Sequence, residues 1–159
     1  MSHDVARAIQ NIHNAVVAAG LSTIKVTAAV ASTVLSVSYP PSQGAFSAAA
    51  VSDMTSIVSV LAQIGSPLMA NVYPYFAYAA EPRKFSQEYA LITAQSPPIH
   101  DGNLDYWCAL DAIVDSFYSA MERVGGPMWA LWSRRVAGRR LEMVHTLLQI
   151  WPSSTITIS

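Results

Sequence analysis

The feature that most constrains this chain is an alternation. Two short, β-branched, nearly uncharged runs are each flanked by longer stretches with helical periodicity. Val5, Ile9, Ile12, Val16 and Ala19 recur at helical spacing, which predicts a helix over residues 4–19 with Asp4 as N-cap and Gly20 as its stop. Residues 23–30, Thr23-Ile24-Lys25-Val26-Thr27-Ala28-Ala29-Val30, are short and rich in β-branched side chains, as a buried strand requires. After the loop Tyr39-Pro40-Pro41-Ser42-Gln43-Gly44, a second helix is expected from near Ser47 to Gly65, turning Val51, Met54, Val58 and Leu61 inward. Residues 67–73 read as a second buried strand, ending in the aromatic cluster Tyr73, Tyr75, Phe76 and Tyr78. Residues 79–103 read as irregular, with one candidate short strand at 89–93. A third helix is expected over residues 104–124, burying Leu110, Ile113, Val114, Phe117, Met121 and Val124. Asp111, Asp115 and Glu122 form its solvated face, and Gly125-Gly126-Pro127 stops it.

Helix, strand, helix, strand, helix is the order of an α/β chain with parallel strands and crossover helices. Two or three strands cannot close a barrel, so the expected unit is a piece of something larger. The 159 residues suffice for one domain with a core, and 52% apolar against 12% charged residues argues against disorder throughout. No apolar run reaches the roughly 18 residues of a membrane span, and no secretory signal is expected at Met1-Ser2-His3-Asp4. The single Cys108 excludes an internal disulfide framework and a cysteine-based zinc cluster. His13 and His100 have no partner His, Asp or Cys at ligand spacing, so neither a metal nor any other cofactor is expected. A net charge of −1 gives no electrostatic case for nucleic acid or an anionic membrane as a partner.

Three stretches carry a resemblance. They are Asn11-Ile12-His13-Asn14-Ala15 with Ala18-Ala19-Gly20-Leu21; Ser38-Tyr39-Pro40-Pro41-Ser42 with Gly44-Ala45-Phe46; and Pro67-Leu68-Met69-Ala70-Asn71-Val72-Tyr73-Pro74-Tyr75-Phe76. Together with Asp111-Ala112-Ile113-Val114-Asp115 they make residues 5–127 similar to glycoside hydrolase family 17, the plant endo-1,3-β-glucanases and lichenases. The pair Trp107-Cys108 departs from the polar pair that family carries there. The resemblance implies a (β/α)8 barrel, which needs about 250 residues. This chain would supply part of it, from about the fourth helix to the sixth. It also implies a sugar cleft at the strand ends, with Asn71, Tyr73 and Phe76 as substrate-binding residues and Tyr75 and Tyr78 as packing or rim residues. Aromatic faces suit the C–H faces of glucose, and an amide bonds hydroxyls. Carbohydrate metabolism and plant defence, in a secreted or vacuolar protein, are what such a family membership implies.

The chemistry implied by the resemblance needs two glutamates about 5–5.5 Å apart, one acid/base and one nucleophile. In the family the first sits in a motif like VGNE just before the opening helix, where this chain reads Met1-Ser2-His3. The second sits in VSESGWPSAG, shortly after the position of Gly125-Gly126. Here the glutamates are Glu81, Glu88, Glu122 and Glu142, and none is expected to end a barrel strand. No catalytic residue is therefore assigned, and β-1,3-glucan is expected to bind weakly at most. A non-catalytic carbohydrate-binding protein is the alternative, and an interaction module using the arginines near the C-terminus is a third.

Those arginines have a particular origin on this reading. Residues 128–159 carry four arginines, Arg134, Arg135, Arg139 and Arg140, against one acidic residue, whereas residues 1–127 carry five basic and nine acidic side chains. Permissible codons from Met128 onward, read with one additional A in front, spell N-V-G-x-x-V-S-E-S-G-W-P-S. Residues 128–159 thus read as a non-family tail translated out of frame. The coding DNA across Gly126 to Arg140, read one base earlier, is expected to encode a VSESGWP-like peptide. Codons that yield no such peptide remove the out-of-frame reading.

Overall fold

The computed structural model describes residues 4–80, 82–83, 86–126 and the backbone of 155–158. Helix α1 (Asp4–Ala18) opens it, with Asp4 as the first helical residue and Ile9 fully buried beside Ala6 and Val16. Gly20 follows at φ +77°, the left-handed turn that glycine accepts without a Cβ clash. Strand β1 (Lys25–Ala31) is buried at Val26, Thr27, Ala28 and Val30, the two-sided burial of a covered parallel strand. A one-turn 3-10 helix at Ser32–Val34 leads to β2 (Leu35–Val37), and a second at Pro41–Gln43 leads to β3 (Ala45–Phe46), the two strands pairing antiparallel.

Helix α2 (Val51–Ile64) buries Met54, Ile57, Val58 and Leu61 and ends on Gly65, whose left-handed backbone donates to the last carbonyls. Strand β4 (Met69–Asn71) then lies parallel to β1, with Ala29 opposite Met69 and Ala31 opposite Asn71. The Thr27 hydroxyl donates to the Pro67 carbonyl and ties the two segments together inside the core. Val26, Met54, Ile57, Leu61, Phe117 and Met121 belong to one apolar cluster between the sheet and the helices.

Beyond β4 the structure departs from the sequence expectation. Pro74–Ala80 is a helix, α3, with proline at its first position, where a missing N–H costs nothing. The short strand expected at 89–93 is absent: residues 89–90 end α4 (Gln87–Ala90) and 91–93 follow it as a turn, the helix being started by Ser86, whose side chain accepts from the Tyr89 N–H at 3.2 Å. The third helix does not begin at Leu104. Ile99–Asp101 (β5) and Leu104–Tyr106 (β6) form a hairpin around Gly102 at φ +61°, and α5 runs Ala109–Arg123. Phe117 and Met121 of α5 are buried and Ile113 and Val124 pack at the core's margin.

The last described element is β7 (Thr155–Ile158), parallel to β1 on the edge opposite β4, with Lys25 opposite Thr155 and Ala28 opposite Ile158. The sheet is therefore three-stranded and open, in the order β4-β1-β7. Within residues 128–159, read from sequence as a non-family tail, residues 155–158 pair with β1; residues 128–154 lie outside the described residues. Truncation before Thr155 strips the hydrogen-bonding partner from residues 25–28 and leaves an open strand edge. The truncated chain is expected to melt several degrees lower, at roughly 2–4 °C per kcal/mol lost. It should also self-associate more strongly with concentration. Equal melting temperatures and elution volumes for the two chains would show that β7 contributes nothing.

Candidate functional site

Parallel strands end together, so whatever follows β1 and β4 emerges on one side of the sheet. Ala31 and Asn71, opposite each other in register, are those ends. Just beyond them opens a cleft of about 350 Å³ whose walls include Tyr39, Tyr73, Phe76, Tyr89, Ile99 and Ile113. Tyr73 and Phe76 belong to the turn into α3 and to its first turn, with ring centroids 5.6 Å apart and planes inclined by 57°. Both are more than half exposed, at 57% and 63%, and Tyr39 is 60% exposed. Tyr75 and Tyr78 continue the aromatic cluster away from the cleft, at 6.0 Å from Phe76 and 6.4 Å from Tyr75 respectively. Large exposed rings gathered at a concave surface are more typical of binding sites than of cores.

Of the three residues assigned from sequence, Tyr73 and Phe76 line the cleft. Asn71 is exposed at the end of β4 and is not among the lining residues. Tyr39 and Tyr89 are lining residues that carried no assignment. Tyr39 lay in the proline-rich loop already singled out, and Tyr89 in the segment read as irregular.

Close to the cleft-lining Ala112 and Ile113, α5 buries a carboxylate that periodicity had placed in water. Asp115 does not face solvent: it is 4% exposed and accepts a 2.7 Å hydrogen bond from the Tyr106 hydroxyl. The β5–β6 hairpin covers the face of α5 that periodicity had left to water. Asp111 is half-buried as well, and burial pushes its carboxyl up against a hydrogen bond from Cys108 that pulls it down. Burial also raises the Tyr89 phenol, which sits near Cys108, Asp111 and Tyr39. His100 does have a partner, the carboxylate of Asp105 2.6 Å away across the hairpin on the exposed side. The pairing of β5 with β6 creates that contact. No group of three His, Cys, Asp or Glu gathers among the described residues, and no described helix is long and apolar enough to cross a membrane. No Asp or Glu is among the cleft-lining residues described.

The comparison that decides the family is a match of residues 2–134 to the sequence profile of Glycosyl hydrolases family 17. The chain belongs to that family. A Hordeum vulgare relative named as a glucan endo-1,3-beta-glucosidase (GVI) is 47% identical over 147 residues, 92% of this chain and 42% of its own length. Lichenase-2 of Hordeum vulgare is 44% identical over 119 residues, 75% of this chain and 38% of its own. In three dimensions a beta-1,3-glucanase and pollen allergen of Cryptomeria japonica superposes with a TM-score of 0.72 at 46% identity, covering 77% of this chain and 38% of that one. The chain thus spans well under half the length of the relatives it matches. Its fold is mixed α/β with an open sheet, and its structural neighbours are plant β-glucanases.

Cys108 offers a direct check on this arrangement. It is 4% exposed, and burial pushes its thiol up to about 11, a shift from the ordinary value that removes about a hundredfold of the reactive thiolate near neutral pH. Iodoacetamide at pH 8 is expected to modify Cys108 at least about a hundredfold more slowly in the native chain than in urea. A native rate within a few-fold of the denatured one would place the thiol in water.

Proposed function

We propose that residues 4–126 form the aromatic wall of a β-1,3-glucan cleft, equivalent to the stretch from about the fourth helix to the sixth of a (β/α)8 glucanase barrel. In this reading the 159-residue chain binds glucan weakly and does not hydrolyse it. The observation that carries the reading is the exposed Tyr73–Phe76 pair at the shared C-terminal end of two parallel strands, where barrels of this class place their sites. The names of the relatives support the substrate class.

Retaining hydrolysis needs one carboxyl to protonate the leaving oxygen and a second to form the glycosyl-enzyme bond. Neither VGNE nor VSESGWP occurs in residues 1–159. Glu88, on α4, and Glu122, on α5, are exposed and outside the cleft lining, while Glu81 and Glu142 lie outside the described residues. Aromatic stacking holds ground state and transition state alike, and such uniform binding does not accelerate the chemical step. Residues 128–159 are proposed to be the out-of-frame continuation of the family sequence. The profile match runs to residue 134 and the barley alignment covers 92% of the chain, hence most of residues 128–159, which counts against this part of the proposal; it rests only on a reading that the amino acids 128–140 permit.

Purified chain incubated with linear β-1,3-glucan is expected to release no more reducing sugar than a heat-killed control, while retaining measurable affinity for the polymer. Tyr73→Ala should weaken that affinity by roughly three- to tenfold, the worth of one stacked ring. Turnover above the control would mean that another carboxylate has been recruited. Affinity unchanged by Tyr73→Ala would put the glucan elsewhere.

A further inference from the structure

Resting on the glucan reading above, we infer that Tyr39 is a second, independently held stacking wall of the cleft, and that Asp101 is the residue that positions it. Tyr39 shares the cleft with Tyr73 and Phe76 but comes from a different segment, the loop after β2. A ring that is 60% exposed on a loop loses affinity to its own freedom unless the loop is fixed, because each side chain ordered on binding costs free energy.

This loop is fixed from three directions. On the far side, Asp101 of β5 accepts two hydrogen bonds from Ser42, the backbone N–H at 2.6 Å and the hydroxyl at 2.9 Å. Immediately before Tyr39, the Ser38 carbonyl lies 2.8 Å from the Ser116 hydroxyl of α5, whose single proton it shares with the Ala112 carbonyl at the same distance. Gly44 packs so closely on α5 that a Cβ there would stand 2.1 Å from the Ser116 carbonyl oxygen. A carboxylate receiving two donors from one residue is the strongest of these ties, because both bonds are charge-assisted. Of the exposed residues in this loop, Ser38, Tyr39 and Gln43, only Tyr39 carries a large apolar side chain, and that ring lines the cleft, so the clamp is accounted for by the ring it presents.

The experiment measures binding of a linear β-1,3-glucan hexasaccharide to the 159-residue chain by calorimetry, for wild type, Tyr39→Ala, Tyr39→Phe, Asp101→Ala and the double variant Tyr39→Ala/Asp101→Ala. Tyr39→Ala is expected to weaken binding roughly three- to tenfold, and Tyr39→Phe, which keeps the ring, to bind within about twofold of wild type. Asp101→Ala should weaken binding in the wild-type background and add nothing in the Tyr39→Ala background, the mark of two residues acting through one contact. A merely structural role for Asp101 would lower affinity equally in both backgrounds and would overturn its part of the inference. Unchanged affinity in Tyr39→Ala, with wild type binding and Tyr73→Ala impaired, overturns Tyr39 as a wall and leaves the glucan reading standing. Absence of any hexasaccharide binding by wild type overturns the glucan reading and this inference with it.

Discussion

Everything at the cleft depends on one pairing, the parallel register of β1 with β4. Antiparallel strands would send the segments following them to opposite ends of the sheet. Because Ala31 and Asn71 are register partners, the loop carrying Tyr39 and the turn carrying Tyr73 leave from the same edge. The pairing is three residues long, which makes it weak by itself. It is held by what surrounds it: Thr27 bonded to the Pro67 carbonyl, and the buried faces of α1, α2 and α5 around Ile9, Met54 and Phe117. The site's geometry thus depends on core packing around this pairing as well as on the ties that hold the Tyr39 loop to α5 and β5.

How much of this was legible in the sequence follows from the length of the element concerned. The long helices declare themselves, since Ile9, Met54, Phe117 and their neighbours repeat over several turns and α2 ends on the left-handed Gly65. β1 and β4 are legible because β-branched, uncharged runs between such helices have few other fates. The region between Pro74 and Tyr106 was not. α3 and α4 span 7 and 4 residues, too short for a period to show, and α4 depends on one hydroxyl, Ser86. Missing the β5–β6 hairpin had a further cost: it is what buries Asp115 and what gives His100 a partner in Asp105. Side chains whose setting is created by non-local cover cannot be read from their own periodicity. Tyr73 and Phe76 were legible through family resemblance, while Tyr39 became visible only when its loop was seen to open onto the same cleft.

The strand β7 bears on the proposed origin of the tail. Adding a strand to a sheet edge uses backbone N–H and C=O groups, which every residue but proline supplies, so pairing asks little of side-chain identity. Thr155-Ile156-Thr157-Ile158 is β-branched throughout, and β-branched residues suit a pleated, half-covered surface whatever encoded them. Residues 25–28 of β1 face outward on the edge away from β4, and a two-stranded parallel sheet there would leave their polar backbone groups for any extended segment to take. Pairing on this edge is therefore open to a segment of any origin, the proposed out-of-frame one included. The same tolerance does not extend to the chemistry. A strand edge accepts nearly any extended backbone, but hydrolysis of a glucan requires two carboxyl groups at one separation, which backbone pairing cannot supply.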